Sequence, residues 1–252
     1  MTAITHQVTP SSPIKDVTLA QVYVWELPVR VTHWLIALSI LVLAVTGLYI
    51  AHPVMHVTGA ATDHFVTGWF RLVHSYAAIV FTVSVLSRVT WMFVGNKYAR
   101  WDKFLPVHAI RARGLWPTFK FYTFLLRKPP GFVGHNPLAG AAYCGIFVLY
   151  FVMIATGFAM FSASAAPGSV MHGFQFLIPL AGGLQTARWI HHAVMWLLLG
   201  FVVHHVYSAV LMSHVEVNGT VESIFTGWKF VPREDLVHSG YRFIDRETDK
   251  GG

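Results

Sequence analysis

The sequence predicts an all-α integral membrane protein in which four transmembrane helices form one bundle. Of its 252 residues, 55% are hydrophobic and only 12% are charged, which is far from the composition of soluble domains. We predict a bundle over residues 31–212, preceded by a cytoplasmic segment over 1–30 and followed by a cytoplasmic tail over 213–252. Four runs are long and apolar enough to cross about 30 Å of hydrocarbon, and they lie at about 31–50, 69–94, 140–161 and 188–212.

The basic residues predict the orientation of the chain. The loops at about 51–68 and 162–187 contain no Lys or Arg. Because cytoplasmic loops carry the excess of these residues, we predict that both termini and the long middle segment are cytoplasmic. The formal net charge of +7 is then a topology signal and does not indicate nucleic-acid binding. The basic residues of the middle segment and the tail are Lys97, Arg100, Lys103, Arg111, Arg113, Lys120, Arg127, Lys128, Lys229, Arg233, Arg242, Arg246 and Lys250.

The middle segment, about 95–139, is long for a connector between helices two and three. Its stretch LWPTFKFYTFLLRKPPGF mixes aromatic residues with Lys and Arg, which is typical of a helix lying in a membrane interface. We therefore predict an amphipathic segment here, ended by the turn residues KPPG at 128–131.

Helix four carries two pairs of adjacent histidines in RWIHHAVMWLLLGFVVHHVYSAV, residues 188–210. Ionisable residues at this depth indicate a functional site. His191 and His205 are 14 positions apart, so at about 100° per residue they lie within about 40° of one helix face. The other spacings miss a common face by about 120° or more. The axial separation is about 21 Å, so these two histidines would serve two stacked sites.

Two other helices supply partners at matching depths. His33 begins helix one, level with His205 on the cytoplasmic side, and His74 begins helix two, level with His191 on the outer side. A four-helix bundle can hold haem between two axial imidazoles, whereas tetrahedral zinc requires more ligands. The single cysteine, Cys144, provides no disulfide and no motif for covalent haem. We predict two non-covalent haems b, bound by the pairs His33–His205 and His74–His191.

An arginine precedes three of these histidines by three positions, in RVTH, RLVH and RWIH. Arg30, Arg71 and Arg188 then share a helix face with the ligand, one turn nearer water, and are predicted to pair with haem propionates. Arg88 lies 14 positions after His74 and is predicted to meet the propionates of the cytoplasmic haem. The alternative for these side chains is interfacial snorkelling, which suits the deeper Arg88 least.

The remaining histidines of helix four and the outer loops are not predicted as ligands. His192 and His204 face elsewhere and are expected to pack or to form hydrogen bonds, with proton handling or quinone contact as the alternative. The outer-loop histidines, expected to be solvated or to face a partner, are His52, His56, His64 and His172.

Two stretches resemble the b-type cytochrome subunit of membrane-bound uptake nickel-iron hydrogenases. RVTHWLIALSILVLAVTG at 30–47 has the Arg, the His-Trp, a small residue within the apolar run and the closing Thr-Gly of the first signature. RWIHHAVMWLLLGFVVHH at 188–205 has the Arg, the paired histidines, Trp196 and Phe201 of the second. Trp189 and Ala193 depart from that signature without touching a ligand. The resemblance covers all four helices and implies the same four haem ligands.

The resemblance also implies an assembly that the composition does not show. In such proteins a large nickel-iron subunit and a small iron-sulfur subunit on the periplasmic face split hydrogen. The cytochrome anchors them and passes electrons through two haems to a membrane quinone. This chain is therefore expected to transfer electrons within a hydrogen:quinone oxidoreductase and not to activate hydrogen alone. No residue pattern identifies the quinone site, which is expected near the cytoplasmic haem.

Three alternatives remain. The cytochrome b subunit of a membrane formate dehydrogenase or a related reductase has the same four-helix, two-haem plan. A non-redox transporter with intramembrane histidines would require carboxylates among the helices, where Asp and Glu are nearly absent. A scaffold that only tethers an enzyme would need no buried histidine.

Overall fold

The computed structural model describes residues 19–55, 64–104, 109–127, 136–216 and 219–232; the KPPG turn and His56 lie outside these ranges. The four longest helices are long and apolar enough to cross a membrane, which confirms the predicted fold. In chain order the elements are β1 (Leu19–Tyr23), α1 (Leu27–Ala51), α2 (Val66–Val94), α3 (Ala109–Tyr122), α4 (Pro137–Ser162), α5 (Leu177–Leu180), α6 (Leu184–Glu216), α7 (Thr220–Thr226) and β2 (Trp228–Pro232), with 3-10 helices at Trp101–Lys103 and Val170–Phe176.

The long helices begin three or four residues before the apolar runs that predicted them. At α1 and α4 the added residues form a first turn with its own chemistry. Pro28 and Pro137 occupy first-turn positions, where a missing N–H costs no hydrogen bond. Asn136 caps α4 by accepting a hydrogen bond from the N–H of Ala139 at 2.7 Å. Apolar periodicity does not report such a turn, so the predicted starts were late.

The four long helices pack as two pairs, α1 with α2 and α4 with α6. The rings of Phe81 on α2 and Tyr150 on α4 meet edge to face between the pairs, with centroids 5.2 Å apart. Many apolar side chains on the outer surface of the bundle are exposed, as expected for helices that face lipid. The buried cluster that joins the two pairs consists of Ile36, Phe81, Val85, Tyr150, Val194 and Leu198.

The two ends of the described chain pair with each other. β1 and β2 form an antiparallel sheet, the terminal sheet, with Leu19 opposite Pro232. The carboxylate of Glu26 connects this sheet to the end of α2, since it accepts hydrogen bonds from Trp91 Nε1 and the N–H of Asn96, both at 2.8 Å. Sequence analysis did not predict this sheet, because two short strands that pair across almost the whole chain leave no local pattern. The start of α1 and the end of α6 are thereby held at one end of the bundle.

The segment between α2 and α4 contains α3, which packs beside α4. Thr118 is buried on its packed face, whereas Trp116 is exposed and has the Lys120 ammonium 5.4 Å from its ring centroid. This combination of a packed face and an aromatic, basic exposed face agrees with the predicted amphipathic segment.

Candidate haem-binding sites

The four histidines predicted as ligands form two pairs at opposite ends of the bundle. His33 on α1 and His205 on α6 lie toward the terminal sheet and are called the sheet-side pair. His74 on α2 and His191 on α6 lie toward the loops at the opposite end, within electrostatic range of each other, and are called the loop-side pair. Helix α6 therefore contributes one histidine to each pair, as its periodicity predicted.

Both histidines of the loop-side pair are held by a threonine on the neighbouring helix. Nδ1 of His74 lies 2.8 Å from Oγ1 of Thr46 on α1. Nδ1 of His191 lies 2.9 Å from Oγ1 of Thr156 on α4. Each helix pair thus provides one histidine and the threonine that orients it.

The threonines also select the tautomer of these histidines. Oγ1 of Thr46 lies 2.7 Å from the carbonyl of Val42, and Oγ1 of Thr156 lies 2.7 Å from the carbonyl of Val152. A hydroxyl has one proton, which these threonines donate to the carbonyls, so each can only accept from its histidine. Nδ1 therefore carries the imidazole proton and Nε2 keeps its lone pair. This is the arrangement that supports a metal-ligating histidine.

A glycine follows each of these threonines and makes room for the imidazole. A Cβ built on Gly47 would lie 3.3 Å from Cε1 of His74, and one on Gly157 would lie 3.4 Å from Cε1 of His191. These are close contacts in a packed interior. A side chain at either position would press directly on the ring.

The sheet-side pair has a spacing that fits one metal ion between its two rings. The ring centroids of His33 and His205 are 6.2 Å apart. With about 2 Å from each imidazole nitrogen to a metal, two axial ligands have ring centres about 6 Å apart. Nδ1 of His205 lies 3.1 Å from the hydroxyl of Tyr143 on α4. Nδ1 of His33 is buried and has no hydrogen-bond partner among the described residues.

The donor set of both pairs fits haem. Within the described ranges, no group of three or more His, Cys, Asp or Glu is placed to hold a metal ion, so each pair offers two imidazoles and no further protein ligand. Tetrahedral zinc requires a larger set. Haem iron requires only axial ligands from the protein, because the macrocycle supplies the other four.

The two arginines near the sheet-side pair each have a buried guanidinium nitrogen that is unused within the described residues. Arg88 is 6% exposed and lies within electrostatic range of His33; its Nη2 is 3.5 Å from the carbonyl of Ala99. Arg30 donates from Nη1 to the carbonyl of Phe225. Nη1 of Arg88 and Nε of Arg30 are buried without a partner in the described part of the chain. Orphaned guanidinium donors inside an apolar bundle call for an anion that the chain does not supply, and a haem propionate matches that need.

The two arginines near the loop-side pair are different. Arg71 and Arg188 are both exposed, and Nη1 of Arg188 donates to Oε1 of Gln185 at 2.9 Å. Their positions agree with snorkelling to the interface as well as with a contact to propionates. Arginines that share the same spacing from a histidine in the sequence therefore lie in two different environments.

The other histidines of α6 form local hydrogen bonds. Nδ1 of His192 lies 3.0 Å from the carbonyl of Arg188, and Nε2 of His204 lies 3.3 Å from Oγ of Ser208. Both contacts are within one turn, in agreement with the expectation that these two histidines form hydrogen bonds. His52 and His64 are exposed, whereas Nδ1 of His172 is buried without a described partner.

Sequence analysis assigned no role to Thr46, Thr156 or Tyr143, which contact the proposed ligands, although Thr46 belongs to the closing Thr-Gly of the first signature. The two threonines share a Thr-Gly dipeptide, but the same dipeptide begins at Thr58, Thr67 and Thr226, so it identifies nothing until the helix depths are known. Tyr143 belongs to no motif. It faces His205 only because α4 packs on α6.

Comparison with known proteins places this architecture in a family. Residues 24–227 match the family model of prokaryotic cytochrome b561. The probable Ni/Fe-hydrogenase 1 B-type cytochrome subunit of Escherichia coli K12 is 39% identical over 217 residues, covering 82% of this chain and 92% of that protein. The probable Ni/Fe-hydrogenase B-type cytochrome subunits of Azotobacter chroococcum mcd 1 (39% over 211 residues, 82% and 88% covered) and Rhizobium leguminosarum bv. viciae (36% over 225 residues, 88% and 94% covered) are similarly close. This chain therefore belongs to the prokaryotic cytochrome b561 family, and it is a multi-pass, b-type membrane cytochrome.

Proposed function

We propose that this chain is the di-haem cytochrome b that anchors a nickel-iron hydrogenase to a bacterial inner membrane and passes its electrons to the quinone pool. The partner is inferred from relatives named as probable Ni/Fe-hydrogenase cytochrome subunits, which match most of the chain. The observation that carries the electron-transfer role is the pair of threonine-held histidines, each fixed in the tautomer that leaves Nε2 for a metal.

The proposed ligands of the two haems b are His74 with His191 at the loop side and His33 with His205 at the sheet side. Haem supplies one-electron chemistry when it is bound. The chain's own contribution is to orient the imidazoles, to exclude water and to place guanidinium groups for the propionates. Arg30 and Arg88 would serve the sheet-side haem, and Arg71 and Arg188 the loop-side haem.

The proposed direction of transfer follows from the ends of the bundle. The described basic residues of the middle segment lie at the terminal-sheet end, and the loops at the opposite end contain none. By the positive-inside rule the terminal sheet is cytoplasmic and the loop side is periplasmic. The iron-sulfur and nickel-iron subunits would then dock at the loop side. His191 and His205, about 21 Å apart along α6, would position two haems for electron transfer from there toward the cytoplasmic side.

The test uses the purified cytochrome and its complex with the hydrogenase subunits. We expect two non-covalent haems b per chain by pyridine haemochrome analysis, and reduction of both by hydrogen only in the complex. His191→Ala should lose the loop-side haem and stop electron delivery, whereas the matched control His192→Ala, whose ring contacts the Arg188 carbonyl of its own helix, should retain both.

Other outcomes of this test would favour a different function for the chain. Haem reduction by formate with a formate dehydrogenase, and not by hydrogen, would identify the related reductase. A wild-type protein without haem would favour the histidine-containing transporter. Normal electron delivery by His191→Ala would indicate that the chain only tethers an enzyme to the membrane.

A further inference from the structure

One cavity of the molecule lies against the sheet-side pair without being part of it. Its volume is about 710 Å³, which lies within the range of about 300–1,000 Å³ that is typical of ligand sites. Its lining residues come from α3, the chain just after it, α4 and α6, and none comes from α1 or α2. His205 on α6 lines the cavity, whereas His33 on α1 is not among its lining residues. The cavity therefore lies beside His205 and outside the α1–α2 pair.

The walls of the cavity are aromatic and apolar, with a few polar groups. Phe119, Phe121, Phe124 and Phe201 supply ring surface. Flat, apolar walls with a small number of hydrogen-bonding groups are typical of sites for small organic ligands. The polar side chains in the lining are Tyr122, Thr123, Arg127, Tyr143, His204, His205, Tyr207 and Ser208.

Tyr122 offers a proton donor to a ligand in this cavity. Asn136 accepts from the N–H of Ala139 through Oδ1, which leaves Nδ2 to donate to the Tyr122 hydroxyl at 3.3 Å. Tyr122 therefore uses an oxygen lone pair, and its own proton is left for another acceptor. Burial is the main cause that raises the pKa of Tyr122; the hydrogen bond from Asn136 opposes this shift and the charge of Glu216 adds to it. The hydroxyl therefore remains protonated.

Tyr143 connects the cavity to the sheet-side pair. Its side chain lines the cavity, and its hydroxyl lies 3.1 Å from Nδ1 of His205. A ligand in the cavity would thus lie next to the proposed haem ligand His205 and to the tyrosine that contacts it. Such proximity suits a molecule that receives electrons at this end of the bundle.

We infer that this cavity is the binding site of the quinone headgroup, with Tyr122 donating a hydrogen bond to one quinone carbonyl. The inference rests on the proposed function and names the place where its last step occurs. One quinone takes two electrons and two protons to become a hydroquinone. Oxidation of one hydrogen molecule supplies both electrons, which arrive singly from haem b at the sheet-side pair. Water at the cytoplasmic side supplies the two protons.

The experiment blocks the cavity and asks whether quinone chemistry stops. Ala142 lines the cavity on α4, so Ala142→Trp should fill it. The matched control is Val148→Trp, because Val148 on the same helix is 59% exposed and is absent from the lining. Haem reduction by decylubiquinol is followed by visible absorption, and haem content is checked with dithionite. We expect reduction at least about tenfold slower in Ala142→Trp and unchanged in Val148→Trp.

A second variant and a direct readout cover the case in which Ala142→Trp loses haem. Tyr122→Phe removes only one hydroxyl and should weaken decylubiquinone binding roughly 2–10-fold. A photoreactive azidoquinone should label peptides from 119–127 or 138–143, and excess decylubiquinone should prevent this labelling.

Three results would overturn the inference, and they differ in whether the proposed function also fails. If both variants react as wild type and the label appears elsewhere, the site is wrong while the proposed function stands. If decylubiquinone does not displace the label, the cavity holds lipid and is not a quinone site. If wild-type haem is reduced by dithionite but exchanges no electrons with quinol or quinone, the quinone step of the proposed function fails as well.

Discussion

The loop-side and sheet-side pairs share α6 but are supported in different ways. At the loop side, Thr46 and Thr156 hold the two histidines through matching hydrogen bonds, and the nearby arginines are exposed. At the sheet side, His205 meets a tyrosine and Nδ1 of His33 has no described partner. Two arginines there each have a buried guanidinium nitrogen without a described partner, and a cavity adjoins the pair.

The two ends of the bundle are therefore suited to different steps of electron transfer. Two fixed tautomers give the loop side a rigid binding site that needs nothing more from the protein. The sheet side is incomplete without an added anion and opens toward a cavity that can hold a small molecule. Electron transfer from a protein partner to a diffusible acceptor would require a rigid site that receives the electrons and a more open site from which they leave.

The largest expected effect separates the two pairs by removing one ligand from each. His74→Ala and His33→Ala should each lose about half of the haem, because the remaining imidazole cannot hold the macrocycle by itself. Pyridine haemochrome analysis gives the amount, and low-temperature visible spectra show which haem is left. Loss of the same spectral component in both variants would show that the two histidines serve one site. The distinction between a loop-side and a sheet-side haem would then be wrong.

The next effect tests the threonine supports. Thr156→Val and Thr46→Val keep the side-chain shape but remove the acceptor of the Nδ1 proton, so loop-side haem affinity should fall about 10–100-fold. Haem transfer to apomyoglobin measures it. Thr82→Val is the control, because the hydroxyl of Thr82 donates to the carbonyl of Ala78 on its own helix. An equal loss in the control would mean that the hydroxyls support the helices and not the histidines.

A smaller effect distinguishes the arginines. A buried cation favours the reduced haem, so Arg88→Gln should lower the potential of the sheet-side haem by on the order of 50 mV. Arg71→Gln should change the loop-side potential much less, because solvent and salt screen an exposed charge. Redox titration followed by absorption measures both shifts. Equal shifts would remove the distinction between buried and exposed arginines.

The smallest effect concerns the glycines beside the loop-side rings. Gly47→Ala and Gly157→Ala place a Cβ 3.3 and 3.4 Å from an imidazole carbon, so the rings must shift by a few tenths of an ångström. We expect altered electron paramagnetic resonance g values for the loop-side haem with its content retained. Gly145→Ala, where a Cβ meets nothing within 4 Å, should leave the spectrum unchanged. A change in all three variants would point to a general helix effect.

The sequence allowed much of the fold and the four histidines to be predicted. The four apolar runs located α1, α2, α4 and α6, because spanning a bilayer demands a length and composition that are visible locally. The face shared by His191 and His205 followed from the repeat of a single helix. The terminal sheet and the cavity left no comparable signal, since each depends on segments that are distant in the chain.

By itself, then, the sequence determined how many helices there are, where their charges lie and which histidines share a face and a depth. These properties are local, because each follows from a single run of residues. The tertiary structure alone decided that Thr46, Thr156 and Tyr143 support the histidines, that Arg88 is buried while Arg71 is exposed, and that α3 closes a cavity against α4 and α6. Those features depend on how each helix is rotated against its neighbour, and that rotation is set by the packing of the whole bundle.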